Sequence, residues 1–483
     1  MLFNSLQYLW FLPTVVLIYY ALPAKHRWVL LLLASYFFYM SWKVEYIVLI
    51  IFSTLVDYFL AIKIHKAKAQ PRKKTYLIIS LISNLGLLAA FKYANFFTEN
   101  VNQLLSFTNS TQHFPYWDIL LPVGISFYTF QTLSYTIDVY KGKISPEKNI
   151  ARFALYVTYF PQLVAGPIER AATFLPELKK QVKFNYNDVI SGLRRILWGL
   201  FKKVVVADRV SVIVNHVYAT SGEQNGLTLL IATYLFAFQI YCDFSGYSDI
   251  AIGSSRILGI KLMENFKAPY FSKSMSEFWS RWHISLSTWF RDYVYISLGG
   301  NRVKVSRMAI NILVVFIISG FWHGANWTFI VWGFVHGVLL LMEYFLAKKS
   351  TIKLDLNPTQ KMIRMLLVFN LVTFGWVFFR ADSIQHSLFI IKNIADINSW
   401  HFNINLLSEV VGGIPLVTMP KLILSVFFIL IMLVMEYGLY FSNFRKRFFA
   451  LNGTLRWSIY YGVSLCIIFF GNHGNIEFIY FQF

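Results

Sequence analysis

The sequence predicts an all-α polytopic membrane protein, and three observations support this fold class. Hydrophobic residues make up 57% of the 483 residues and charged residues only 14%, whereas about a quarter of the residues in an ordinary globular protein are charged. Apolar runs of about 20 residues, the length that a helix needs to cross the hydrocarbon core, recur along the chain. Clusters of Lys and Arg separate these runs. We therefore predict about eleven transmembrane helices plus re-entrant or interfacial segments around a central cavity or funnel.

The basic clusters also predict how the spans are oriented. The Lys-rich stretch 66–74 should be cytoplasmic, and the stretch 98–118, which has no Lys or Arg, should be external. The N-terminus and the C-terminal tail are then both predicted outside. The apolar segments on which this prediction is based are, in chain order, Leu9–Leu22, Trp28–Trp42, Val44–Ile62, Tyr76–Phe97, Ile119–Tyr140, Leu227–Ile250, Met308–Ile318, Thr328–Phe345, Leu366–Phe379, Leu422–Phe441 and Trp457–Phe470.

Charge and cysteine content exclude several classes of protein. The net charge of +21 is distributed between apolar runs, which favours lipid headgroups and membrane topology over a nucleic-acid-binding face. Cys242 and Cys466 lie far apart in apolar runs, so neither a disulfide framework nor a metal site is indicated. The first apolar segment lacks a preceding basic region and a cleavage site, which indicates a retained helix. No internal repeat is evident, and this disfavours a secondary transporter.

One region is apolar but interrupted by helix-breaking residues. The span Ile119–Tyr140 contains Pro122 and Gly124, and the segment Phe153–Ile168 contains Pro161. Basic residues flank the second segment on both sides, so a single crossing does not connect them. We predict a re-entrant or doubly bent pair around 161–167, which requires protein or a water-filled cavity to satisfy its backbone.

Charged residues within or beside apolar runs identify two further segments. Residues 189–206 carry Arg194, Arg195, Lys202 and Lys203 among apolar residues, so we expect an interfacial helix whose cations reach lipid headgroups. Carboxylates in a span are costly. We expect the two in Leu227–Ile250, Asp243 and Asp249, to orient a histidine or to pair with an arginine.

His323 is the strongest candidate for chemistry from the residues alone. The apolar run Met308–Ile318 leads into it, and an ionisable side chain at membrane depth is costly unless it faces a cavity or a partner. A neutral imidazole can take the proton of an attacking hydroxyl, and a structural, hydrogen-bonded histidine is the alternative. Trp322, Trp327 and Trp332 could line a channel around it, and Gly320, Gly324 and Gly333 would allow close helix packing. We expect His336 to be structural.

The stretch 261–307 is cationic, aromatic and too charged to span a membrane. It contains His283 in the motif Phe-Trp-Ser-Arg-Trp-His, 278–283. Arginines here could bind the phosphates of a nucleotide-bearing cofactor from the cytoplasm, or could anchor the chain at the interface together with the tryptophans. The sequence lacks a Gly-rich phosphate loop, a Gly-x-Ser-x-Gly elbow and a His-Glu-x-x-His motif, which excludes the common soluble chemistries.

Five motifs together resemble the membrane-bound O-acyltransferases, and most of all the bacterial branch that acetylates alginate. The resemblance covers nearly the whole chain. The motifs are Val-Gly-Ile-Ser-Phe-Tyr-Thr-Phe-Gln at 123–131, Pro-Tyr-Phe-Ser-Lys-Ser-Met-Ser-Glu-Phe-Trp-Ser-Arg-Trp-His-Ile-Ser-Leu-Ser-Thr-Trp at 269–289, Gly-Gly-Asn-Arg at 299–302, Phe-Trp-His-Gly at 321–324 and Phe-Ile-Tyr-Phe-Gln-Phe at 478–483.

The resemblance implies a catalytic role for His323, and His283 occupies the family's second, Asn-or-His position. It implies acetyl transfer from cytoplasmic acetyl-CoA, with no bound cofactor or metal, to an extracytoplasmic SGNH-hydrolase-like partner that esterifies an exopolysaccharide such as alginate. The location is then the bacterial inner (cytoplasmic) membrane. We expect the following residues to bind the donor or line the channel: Trp279, Arg281, Trp282, Arg302, Trp322 and Asn326. The single membrane domain over 1–483 would comprise N-terminal helices (1–118), a catalytic core (119–347), C-terminal helices (348–470) and an external tail (471–483).

The terminal motif adds a hypothesis about Tyr480. Its apolar, aromatic surroundings would let the tail fold back into an external funnel, and a similar motif in D-alanyl transfer systems resembles an acyl relay. Docking of the tail or of a partner is the alternative. Other functions also remain open, namely D-alanyl transfer to teichoic acid, acetylation of peptidoglycan, and transport of a polysaccharide or anionic solute without covalent chemistry.

Overall fold

The computed structural model describes residues 1–108, 112–118, 121–164, 166–349, 357–400, 410–411, 414–415, 419–474 and 476–481. Within these residues the chain forms two compact units, one of 1–196 with 250–263 and one of 197–249 with 264–483. Several predicted segments are therefore described only in part, because they include residues outside this set, namely 109–111, 119–120, 165, 350–356, 401–409, 412–413, 416–418, 475 and 482–483.

Helices dominate both units. A short antiparallel pair, β1 Val410–Val411 and β2 Ile414–Pro415, aligns Val410 with Pro415. The α-helices are α1 Leu6–Ala21, α2 Arg27–Met40, α3 Ile47–Lys66, α4 Gln70–Leu88, α5 Ala94–Phe107, α6 Ile125–Tyr140, α7 Ile150–Thr158, α8 Phe160–Leu163, α9 Ala171–Lys179, α10 Tyr186–Leu200, α11 Asp208–Ala219, α12 Gly226–Ile257, α13 Met275–Arg281, α14 Ile284–Phe290, α15 Val305–His323, α16 Trp327–Lys349, α17 Pro358–Arg380, α18 Ile384–Ala395, α19 Met419–Phe441, α20 Phe444–Ala450 and α21 Gly453–Phe470.

The predicted all-α polytopic fold class is confirmed. Eight helical segments among the described residues are long and apolar enough to cross a membrane, and α1 is an apolar helix of 16 residues. The prediction of about eleven crossings also counted segments that form shorter helices, such as α2 with 14 residues and α6 with 16. The eight segments are Val44–Lys66, Gln70–Phe107, Gly226–Ile257, Val305–His323, Trp327–Lys348, Pro358–Arg380, Met419–Phe441 and Gly453–Phe470.

In the first unit, α3 packs against α4 and α6. Asp57 on α3 is completely buried and accepts hydrogen bonds from Ser80 Oγ at 2.5 Å and Asn84 Nδ2 at 2.9 Å on α4. A buried carboxylate is tolerated only when it is hydrogen-bonded or neutralised. These bonds therefore fix the position of α4 along α3.

The interrupted segment of the first unit bends where its prolines predict a break. α7 ends before Tyr159, whose backbone is non-helical, and α8 has only four residues. The Phe160 backbone N–H donates to Ser35 Oγ at 3.0 Å, so a side chain replaces the missing helical acceptor. Gly124, with φ of +76°, lies so close to this bend that an added Cβ would be 2.9 Å from the Leu163 carbonyl oxygen. The bend and the start of α6 are thus packed backbone against backbone.

The expectation that Lys202 and Lys203 reach lipid headgroups was wrong. Both lie in the π-helical turn Phe201–Ala207 that follows α10, and they are only 3% and 0% exposed. Lys202 Nζ lies 2.6 Å from Asp249, and Lys203 Nζ lies 2.6 Å from Asp243. The two carboxylates predicted to orient a histidine or pair with an arginine pair with lysines instead, because neutralising a buried charge outweighs headgroup contact.

The α15 and α16 helices of the second unit pack closely through glycine. An added Cβ on Gly320 would overlap the Phe329 carbonyl, and one on Gly333 would overlap the Phe316 carbonyl. Small residues let backbones approach in this way in membrane proteins. This contact fixes the end of α15, where His323 lies.

We predict that Gly333→Ala destabilises the purified protein by about 2 kcal/mol, because overpacking a close contact typically costs 1–3 kcal/mol. Thermal unfolding in detergent measures the change. Gly462→Ala on α21 is the matched control, since an added Cβ there meets no atom of the described residues within 4 Å. Equal melting temperatures for the two variants would contradict the predicted close packing.

Candidate active site

His323 is the last residue of α15 and is only 3% exposed. Its ring is enclosed by aromatic rings, with centroid distances of 5.0 Å to Trp322, 5.1 Å to Trp332 and 5.4 Å to Phe379. Gly324 ends the helix directly after it, and an added Cβ there would overlap the Phe329 ring. The packing of α15, α16 and α17 therefore holds this imidazole in an enclosed aromatic environment.

His283 joins α13 to α14 in a conformation that is rare for a residue with a side chain. Its φ is +42° and its ψ is +55°, in the left-handed region. Such a backbone costs about 1–3 kcal/mol and persists only where the surrounding structure enforces it. Here the Ile284 N–H donates to the Asn265 carbonyl oxygen at 2.9 Å and so ties the turn to the preceding loop.

The Asn265 side chain also determines the tautomer of His283. Its Oδ1 accepts from Ser285 Oγ at 2.9 Å and lies 3.1 Å from His283 Nδ1. Since Oδ1 can only accept, Nδ1 carries the proton, and Nε2 is the basic nitrogen of the neutral ring. Burial lowers the pKa of His283 to about 3, so the ring is neutral at physiological pH.

The two histidines and the C-terminal tail meet in one cluster. The His283 and His323 ring centroids are 6.5 Å apart. The Tyr480 ring lies 5.5 Å from His323 and 6.3 Å from His283. A reacting group of a few atoms placed among these rings could contact a general base, a second polar ring nitrogen and a phenolic hydroxyl at once.

The tail reaches this cluster by packing its aromatic residues on α12. The Phe478 ring stacks on Tyr247 at 4.6 Å, and the Tyr480 ring lies 4.5 Å from Phe244. Phe478 is fully buried, whereas Tyr480 is partly exposed. The tail therefore folds back onto α12 and brings the partly exposed Tyr480 ring next to the buried histidine pair.

The predicted donor-binding residues divide into two groups. Trp322 contacts His323 directly, Trp279 lies 5.8 Å from Trp332, and Trp282 lies 5.9 Å from Tyr241 in the adjoining aromatic core. The other three predicted residues have described contacts with partners other than His283, His323 and Tyr480. Arg281 pairs with Glu277 at 2.7 Å, Arg302 is exposed in the turn after Gly300, and the Asn326 amide caps α16 and donates to the Asp382 carbonyl.

His336, which we expected to be structural, is completely buried in α16. Its ring lies 4.9 Å from Trp332 and 5.1 Å from Trp279. A Cβ on Gly375 would be 2.6 Å from His336 Nε2, so α17 lies directly against the ring. His336 is thus packed against Trp332, Trp279 and α17, and not beside Tyr480.

Two residues of the site were missed from sequence. Asn265 lies in a short polar stretch, with no periodic pattern to mark it as a partner of His283. Lys203 was assigned to the interface, although the acidic residues at 208 and 243 in neighbouring apolar runs could have identified it as part of a buried ion pair.

The chain is similar in sequence to several enzymes of known family. Residues 144–380 match the model of the membrane-bound O-acyltransferase family. The chain is 40% identical over 388 residues to a probable alginate O-acetylase of Azotobacter vinelandii, covering 80% of this chain and 76% of that protein. It is also 36% identical to a peptidoglycan O-acetyltransferase of Helicobacter pylori (82% and 80% covered), and 30% identical to a teichoic acid D-alanyltransferase of Bacillus subtilis (57% and 72%).

The matched region contains both histidines of the cluster, His283 and His323. The similarity extends over most of the chain and of its relatives, so it concerns the whole membrane protein and not an isolated motif. The chain therefore belongs to the membrane-bound O-acyltransferase family and is a multi-pass membrane enzyme that transfers acyl groups to oxygen.

Proposed function

We propose that this enzyme takes an acetyl group from cytoplasmic acetyl-CoA and passes it to an extracytoplasmic SGNH-hydrolase-like partner, which O-acetylates an exopolysaccharide such as alginate. The observation that carries the proposal is the cluster of His323, His283 and Tyr480, with Tyr480 5.5 Å from His323. The name of the Azotobacter relative supports the choice of acetyl group and polymer. The location would be the inner (cytoplasmic) membrane, with the tail outside.

His323 acts as general base in this mechanism. Its neutral imidazole takes the proton of the acceptor hydroxyl while the hydroxyl oxygen attacks the thioester carbonyl carbon. The tetrahedral intermediate collapses, the C–S bond breaks, and the thiolate receives the proton from the imidazolium. The acceptor becomes an acetyl ester and CoA leaves as the free thiol, so atoms and charge balance.

Tyr480 is the proposed first acceptor. Burial, and secondarily the Asp243 carboxylate, raise the pKa of Tyr480. The phenol therefore stays protonated at physiological pH and needs a base to become nucleophilic. In a second step, a hydroxyl of the partner attacks the tyrosyl ester and restores the phenol. The partial exposure of Tyr480 supports this handover, and simple docking of the tail or partner remains the alternative.

His283 has a supporting role in the proposal. Its Nδ1 proton is held by Asn265, so the ring presents Nε2 in a fixed orientation near the acyl group. Because the ring is neutral, it contributes a polar contact rather than a positive charge.

Two alternatives keep the same chemistry with other substrates. Peptidoglycan is the acceptor named for the Helicobacter relative, and D-alanine is the group named for the Bacillus relative. Labelled acetyl-CoA and a labelled D-alanyl carrier protein, offered separately to the purified enzyme and its partner, distinguish the donors. Transport without covalent chemistry is disfavoured, since the relatives are named as acyl-transferring enzymes.

We predict that His323→Ala lowers acetyl transfer from acetyl-CoA by at least about 100-fold, the typical contribution of a general base. Transfer of radiolabel to the partner measures it. His65→Ala, an exposed histidine on α3, is the control and should match the wild type. Near-normal transfer by folded His323→Ala protein would contradict the assignment.

We predict that Tyr480→Phe abolishes polymer acetylation, because the ring packing on Phe244 is kept while the accepting hydroxyl is lost. Ester content of the secreted polymer is the measurement. Tyr461→Phe, at an exposed position on α21, controls for loss of a tyrosine hydroxyl. Full polymer acetylation at normal expression would rule out the relay and favour docking.

We predict that His283→Asn shows the same shape of pH–rate profile between pH 5 and 8 as the wild type, with a lower rate. A pKa of about 3 means that His283 gains no proton in that window. Single-turnover acetyl transfer across this range measures the profile. Loss of a titration step near pH 6–7 in the variant would show instead that His283 is the titrating base.

A further inference from the structure

A buried ion cluster lies behind the C-terminal tail. Lys203 is completely buried, and its Nζ lies 2.6 Å from Asp243 Oδ1 and 2.7 Å from Asp208 Oδ1. Burial alone would lower the pKa of Lys203, but the two carboxylates raise it above its usual value. The ammonium therefore stays charged. It neutralises both carboxylates at a position where water is excluded and cannot take its place.

The two oxygens of Asp243 have different partners. Oδ1 binds Lys203, whereas Oδ2 accepts a hydrogen bond from the backbone N–H of Ile479 at 2.7 Å. A hydrogen bond to a buried carboxylate is stronger than one between neutral groups. Ile479 directly precedes Tyr480, so this bond fixes the backbone next to the proposed acyl acceptor.

The start of the tail is tied to the same region of the chain. The Asn472 backbone N–H donates to the Val204 carbonyl at 2.9 Å, and its Nδ2 donates to the Asp208 carbonyl at 3.1 Å. Lys203 also lies 5.3 Å from the centroid of the Tyr247 ring, on which Phe478 stacks. The tail is thus held at Asn472 and at Ile479 by residues in or next to the ion cluster.

The neighbouring lysine makes a useful comparison. Lys202 is equally buried and pairs with Asp249 at 2.6 Å, with Glu436 4.0 Å away. Glu436 in turn accepts a hydrogen bond from Tyr241. Asp249 lies on α12 and Glu436 on α19, so Lys202 links helices. Asp243 differs because its second oxygen is bound to the tail.

We propose that Asp243, charged and oriented by Lys203, is a positioning residue that anchors the C-terminal tail and thereby holds Tyr480 against His323. Its effect on catalysis rests on the proposed function, whereas the anchoring itself does not. Asp243 acts through the Ile479 N–H and touches no reacting atom. The expected signature is a tail that detaches when this single hydrogen bond is lost.

Ile479→Pro tests the anchor without altering any buried charge, because proline lacks the backbone N–H. Ile479→Ala is the matched control, since it removes the same side chain and keeps the N–H. Both are placed in a Phe481→Cys, Cys466→Ser background and treated with a membrane-impermeant maleimide; the other native cysteine, Cys242, is fully buried. We expect labelling at position 481 to be about 10-fold faster in Ile479→Pro than in Ile479→Ala. Equal rates would overturn the anchor.

The acidic partners provide the second comparison in the same assay. In Asp243→Ala, the cysteine at position 481 should be labelled as fast as in Ile479→Pro. In Asp208→Asn it should be labelled at the wild-type rate. In the described contacts, the Asp208 side chain pairs with Lys203, and it is the Asp208 backbone carbonyl that binds the tail. Fast labelling of both variants, or of neither, would contradict a specific role for Asp243. If Asp243→Ala does not fold, the Ile479 pair decides the question, since those changes lie in the tail.

Acetyl transfer then tests whether the anchor acts through Tyr480. Ile479→Pro should lose most of the acetyl transfer that Ile479→Ala retains, because Tyr480 is no longer held next to His323. Equal transfer rates in the two Ile479 variants would show that the anchor does not act through Tyr480. If the wild type transfers no acetyl group, the proposed function fails, while the maleimide rates still decide whether the tail is anchored.

Discussion

The second unit depends on neutralising charge away from water, and the pairing of Lys203 with Asp243 and Asp208 is the central case. Removing one member of a buried ion pair typically costs 3–5 kcal/mol, because the remaining charge keeps no partner. These residues join the π-helical turn after α10, the start of α11 and the middle of α12. The same carboxylate, Asp243, accepts a hydrogen bond from the tail. Structural charge compensation and the position of Tyr480 are therefore coupled.

Close packing supplies the other half of the arrangement. Gly320 and Gly333 bring α15 and α16 into backbone contact, so His323 at the end of α15 has little freedom to move. His283 is held by its contact with Asn265 and by its own left-handed backbone. Neither imidazole depends on a long flexible segment for its position. Preorganisation of this kind lets a base and a second polar group act without reorganisation during the reaction.

The all-α membrane fold and most helix positions could be predicted, because crossing a bilayer requires about 20 apolar residues. Such runs are visible in the sequence without any knowledge of contacts between distant residues. The break near Pro161 could also be predicted from sequence, because a proline inside a helix removes a backbone hydrogen bond and disfavours continuation of the helix. Pairings between distant residues were not. Lys202 and Lys203 resemble interfacial residues when only their neighbours in sequence are considered, and their acidic partners in α12 lie 47 and 40 positions away. The Asn265 contact with His283 depends on a turn with a left-handed backbone, and no local sequence pattern predicts that backbone.

The proposed mechanism requires the acyl group to pass from the donor to Tyr480 at the His323 site. The most direct measurement is mass spectrometry of the C-terminal peptide after the purified enzyme is incubated with acetyl-CoA in the absence of its partner. We expect an acetyl ester on Tyr480 in the wild type that is absent from His323→Ala and disappears when the partner is added. An unmodified Tyr480 in enzyme that goes on to acetylate its partner at the normal rate would contradict this mechanism.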